Sequence, residues 1–159
     1  MAGTSTVPGL GLALTRLTLG IMVARQGWAW VTGEGLGVRT FRRWIEDADA
    51  SGLLGWWGDR VLLHNPDASA FLLSWTLLLA GIAMTLGAFT RPAATWVGLV
   101  ALQAWAFEVV EPRTAILVAV VSLACVMSRA GRKLGLDAAL DGNLPTWMTW
   151  VRGRSDFLD

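Results

Sequence analysis

Two uncharged apolar runs, Ala70 to Phe89 and Ala93 to Trp105, stand back to back in the middle of the chain with only Thr90-Arg91-Pro92 between them. About 20 apolar residues at ~1.5 Å rise each match a hydrocarbon core of ~30 Å. The pattern predicts a transmembrane helical hairpin. Its turn is expected at Arg91-Pro92, because a guanidinium is costly at the bilayer centre and proline disfavours helix at the residue before it. A soluble helix of this length would carry a polar face, whereas Leu72 to Leu86 offers only Ser74, Thr76 and Thr85.

Apolar runs on either side add two further spans. The expected fold is all-α: one integral membrane four-helix bundle over residues 1–159, with spans at about 9–31, 70–89, 93–110 and 114–128. In the first span Gly9, Arg16, Gly20 and Gly27 recur near helical spacing, so one face is small, carries one arginine and suits close packing on another helix. Arg16 and Arg25 either snorkel to the headgroups or act as intramembrane charges with a specific partner.

The segment 32–67 is the one long excursion from the bilayer. It holds four basic residues (Arg39, Arg42, Arg43, Arg60) and six acidic ones (Glu34, Glu46, Asp47, Asp49, Asp59, Asp67). Val38, Phe41, Trp44 and Ile45 fall at helical spacing, and Leu53, Leu54, Trp56, Trp57, Val61, Leu62 and Leu63 form a second apolar set. These predict one or two short helices on the membrane surface, open to a partner on the outer side. Asp67 or Ser69 would cap the following span. The tail, 130–159, is amphipathic and reads as an interfacial segment through Trp147, Trp150, Arg152 and Arg154.

Composition sharpens this picture. The chain is 54% hydrophobic and 16% charged, where a soluble domain carries roughly 25% charged residues, so lipid is its expected solvent and first partner. A net charge of +1 gives no field for nucleic acid. The lone Cys125 excludes an internal disulfide or a cysteine-ligated metal site, and no metal is expected. With one histidine, His64, and no tyrosine, a self-sufficient catalytic constellation is not expected. The ten tryptophans suit the headgroup level, where indole is apolar in body and polar at its N–H.

No cleaved signal is expected in Met1 to Pro8, and Ala2 excludes N-myristoylation. Four spans put both ends on one side. Basic residues in the short segments (Arg91, Arg129, Arg132, Lys133, Arg152, Arg154, against Arg113 opposite) make that side the cytoplasm, in a multi-pass cell (inner) membrane protein.

Two polar groupings are candidate sites. Arg25, Gln26, Gln103 and Glu108 fall near one level, where Trp28, Trp30 and Trp105 could wall the space between helices. An apolar slot with a few donors suits a quinone, and arginine, glutamine and indole can all donate. The same residues also suit a structural ion pair. At the other end Arg16, Arg91 and Asp137 are candidates for ion pairs that would fix the tail to the bundle.

Gly81 to Ala94 (GIAMTLGAFTRPAA), Gly131 to Leu140 (GRKLGLDAAL) and the first helix (LALTRLTLGIMVARQGW) resemble the DoxX-like family of small four-helix membrane proteins, which includes the DoxD subunit of thiosulfate:quinone oxidoreductase. The chain departs from the family pattern in having Trp28 and Trp30 where a lysine often follows the first helix. It also has Ser74, Trp75 and Thr76 where many members place a glutamate. The resemblance implies association with membrane redox systems. The expected function is an accessory or anchoring subunit of such a complex, with no covalently bound cofactor. The alternatives are a quinone-contacting oxidoreductase subunit, working with a redox partner, and a small transporter or channel.

Overall fold

The computed structural model describes residues 7–33, 37–48 and 51–127. Among these every regular element is helical: α1 (Val7–Val31), α2 (Val38–Glu46), α3 (Leu53–Trp57), which continues into a π turn (Gly58–Leu62), α4 (Pro66–Leu86), α5 (Thr90–Ala106) and α6 (Pro112–Met127). The four long helices close a ring of contacts, α1 on α4, α4 on α5, α5 on α6 and α6 on α1.

The tightest of these contacts follows from glycine. A side chain at Gly20 would bring its Cβ within 2.7 Å of the Thr85 backbone nitrogen, and one at Gly27 within 2.6 Å of the Leu78 Cα. Small residues let backbones approach closely, so the small face of α1 seen in the sequence is the one that packs on α4. The pairing of Gly20 with Thr85 and Gly27 with Leu78 makes the two helices antiparallel.

The α4–α5 turn forms three residues earlier than its expected position at Thr90-Arg91-Pro92. Gly87 takes the left-handed conformation (φ 68°) and ends α4, with Gly87 N–H donating to Met84 and Ala88 N–H to Ala83. Phe89 is also left-handed (φ 52°), and Thr90 already begins α5. Pro92 therefore lies in the first helical turn, where its missing N–H removes nothing, because those N–H groups have no intrahelical partner. The helices expected over 70–89, 93–110 and 114–128 begin earlier, at Pro66, Thr90 and Pro112, and the first of them is capped by Asn65, which accepts from Ala68 N–H, in place of the expected Asp67 or Ser69.

The loop read from sequence as short surface helices folds partly over one end of the long helices. α2 buries Phe41 and Ile45, which join Ala70 and Phe107 in a cluster with Trp30, Trp44, Leu62 and Leu73 packed around it. Gly58 seats the π turn on this cap: a Cβ there would stand 3.0 Å from Ile45 and 3.2 Å from Phe107. α3 itself buries nothing, and Leu53, Leu54, Trp56 and Trp57 are all exposed.

The outer surface carries far more large apolar side chains than a water-soluble domain would, while a few polar side chains lie within the core. Arg16 (2% exposed), Ser74, Thr90 and Ser122 lie inside, beside small or apolar residues such as Ala80, Met84, Ala93, Ala94, Val97 and Cys125. Outside lie Ile21, Met22, Phe71, Leu79, Leu99, Leu102, Leu117 and Met127. Hydroxyls within α4 are satisfied by their own helix: Ser74 donates to the Ala70 carbonyl at 2.8 Å, Thr76 to Leu72 at 2.7 Å and Thr85 to Gly81 at 2.8 Å. One described helix, α4, is long and apolar enough to cross a membrane; its most apolar stretch is only 39% buried, unlike the core helix of a soluble domain. α6 is apolar but shorter.

A candidate ligand cavity beneath the loop cap

Where α2 and the π turn fold over α4 and α5 they leave a partly open cavity of about 80 Å³. Its walls are apolar and aromatic: Trp30, Phe41, Trp44, Ile45, Leu62 and Phe107 among them. Trp30 and Trp44 are inclined to each other at 56°, with ring centroids 6.0 Å apart, a favourable tilted arrangement. The Gln103 side chain enters this wall from α5. Gln103 is half-buried, and no protein group among the described residues hydrogen-bonds its carboxamide. Both N–H donors and the carbonyl acceptor are available to a ligand.

Beside this space, under the π turn, runs a groove of about 310 Å³. Phe41, Leu62, Leu73 and Gln103 belong to both walls, and the groove adds Trp57, Val61, Leu72, Thr76 and Trp96.

Of the seven residues read from sequence as a ligand site, Trp30 and Gln103 meet in the cavity wall and the other five lie on other surfaces. Gln103 lines the cavity and the groove. Arg25 and Trp28 line a different, shallow groove on the outside of the α1–α4 pair, with Ile21, Ile82 and Leu86. Gln26, Trp105 and Glu108 are exposed. Glu108 is left-handed (φ 55°) and ends α5, its N–H donating to Trp105 while Val109 N–H donates to Ala104. This is a helix stop usually made by glycine. Trp44 and Leu62, read from sequence only as parts of the loop's apolar faces, and Leu73 are cavity residues that the sequence did not assign to the site. The apolar spacing of α2 signalled a buried face without saying what it would cover.

At the opposite end, Arg16 lies one helical turn beyond Gly20, whose partner on α4 is Thr85, and so stands level with the α4–α5 turn and Arg91. Arg16 and Cys125 are both buried, at 2% exposed each. Arg16, Phe89, Thr90, Arg91 and Cys125 are each engaged in further interactions. Asp137, the acid expected to join Arg16 and Arg91, lies outside the described residues, as does the tail 130–159. Among the described residues no cluster of side chains could hold a metal ion.

Described residues whose regular elements are all helical, with many large apolar side chains facing outward and one helix fit to span, define a membrane-associated helical protein. The family model DoxX matches residues 11–109, more than half of the chain, and the protein belongs to the DoxX family. No curated protein and no solved structure matches it.

Proposed function

We propose that the protein is a multi-pass subunit of the cell membrane that anchors or assists a larger complex of redox type. Its four long helices cross the bilayer as a bundle, the termini face the cytoplasm, and the α2–α3 loop faces outward. The observation that carries this reading is the apolar exterior of the helices, where Leu79, Leu99 and Leu117 face out while Arg16 and Ser122 lie inside. Shielding those side chains from water is worth ~25 cal/mol per Å², which lipid supplies around the whole bundle. The helix faces and the exposed Leu53, Leu54 and Trp56 of the loop would be its working surfaces. The test is purification from native membranes in mild detergent. A stoichiometric partner subunit is expected, and a chain that stays soluble without detergent, or is recovered alone, overturns the reading.

A second reading, direct contact with a quinone, is supported by the Gln103 carboxamide set in an aromatic cavity. The amide would donate to one carbonyl oxygen while Trp30 and Trp44 flank the ring. Solvent extraction of the purified protein checks it, and recovery of no quinone removes it.

A further inference from the structure

We infer that the groove under the π turn and the cavity at Gln103 form one site for a long-chain neutral lipid, which enters sideways from the bilayer. The polar head reaches Gln103, and the hydrocarbon chain lies in the groove. This rests on the membrane reading above and stands whether or not the head is a quinone.

The four residues common to both walls, Phe41, Leu62, Leu73 and Gln103, make the two spaces immediate neighbours, with Gln103 reached from either one. On its outer side the groove is continuous with side chains that face lipid. Leu72 is 59% exposed and Trp96 40%, and both line it. The groove also runs along the helix axis: Ser69 and Thr76, both in its wall, are seven residues apart on α4, about 10 Å. Such a slot takes a linear chain rather than a compact solute. Its own hydroxyl near that depth is already used, since Thr76 donates to the Leu72 carbonyl at 2.7 Å. Gln103, the one polar side chain common to both walls, meets the head beside the indoles of Trp30 and Trp44, and with no cation among the described residues of either wall the site favours a neutral carbonyl or hydroxyl over a phosphate. The aromatic rings of Trp30, Phe41 and Trp44 around it exclude water and fit a flat or compact head. A carbonyl at the end of a hydrocarbon chain could belong to a quinone or to a neutral acyl lipid.

The experiment is native mass spectrometry of the full chain released from nanodiscs made directly from native membrane, followed by extraction of whatever is held. Three variants are compared with wild type: Gln103→Leu, which removes the amide; Leu72→Trp, which fills the groove from the lipid side; and Leu99→Trp, an exposed position in the separate α5–α6 groove. Wild type and Leu99→Trp should each retain one neutral lipid. Gln103→Leu and Leu72→Trp should each retain roughly tenfold less, the scale of one lost hydrogen bond or a blocked slot, with thermal melting unchanged. Recovery of a quinone supports this site and the quinone reading together. Recovery of a neutral acyl lipid supports this site and removes the quinone reading. Recovery of nothing, of a charged phospholipid, or of a lipid whose retention neither variant alters overturns the inference.

Discussion

The Cα of Ala24 stands 2.6 Å from the point where a side chain on Gly81 would begin. The α1–α4 contact is therefore set by absent atoms. Replacing Gly81 by alanine forces the two helices apart, and overpacking of this kind costs about 1–3 kcal/mol. Gly11, on the same helix as Ala24 but with open space around it, provides the control. Gly11→Ala should gain about 0.5–1 kcal/mol from helix propensity alone. Thermal unfolding in detergent should move the two variants in opposite directions.

Burial separates the two arginines of α1. Arg16 is enclosed at the turn end of the bundle, and Arg25 is exposed. Arg16→Ala should lose about 2–4 kcal/mol, combining a cavity with polar neighbours deprived of their contact. Arg25→Ala should fall within about 0.5 kcal/mol of wild type, as surface substitutions do. Lysine should not restore Arg16, because a compact ammonium cannot reproduce the planar fork of donors. Chemical denaturation in mixed micelles gives the comparison.

Phe41 anchors α2 to the bundle with 4% of its surface exposed. Phe41→Ala should cost the cap about 3–5 kcal/mol. The loss should be local, because this cluster is separate from the one around Met84 and Ala94. Hydrogen exchange checks this: amides of Val38–Glu46 should exchange much faster, while those of α4 around Met84 keep their protection.

Glu108 holds a left-handed conformation that costs a non-glycine residue roughly 1–2 kcal/mol, partly recovered because glycine loses more entropy on folding. Glu108→Gly should therefore raise stability by about 0.5–1 kcal/mol, seen as a higher melting temperature. A fall would show that the exposed carboxylate contributes to the fold.

The helical elements and the small face of α1 could be read from the chain because uninterrupted apolarity and glycine spacing are local properties. Turn position was less legible. Proline at 92 reads as a break, but proline is tolerated in a first helical turn, and the actual stop is Gly87. The loop showed its apolar face through Phe41 and Ile45, yet periodicity identifies a face and not what covers it. The proposed polar site was assembled from depth along the helices alone. Depth does not give direction: successive residues turn by ~100°, so with Gly20, Ala24 and Gly27 facing α4, Gln26 is carried to the surface. Gln103 shared that depth and faces inward, toward a chamber closed by the distant segment around Phe41.

Every residue walling the chamber and its groove except Val110 falls within the stretch shared with the family, and α6 supplies none of them. The last described helix is thus separable in task from the first five. Exchanging it for another greasy segment would change which neighbour the bundle leans on, while the compartment under the lid kept its shape.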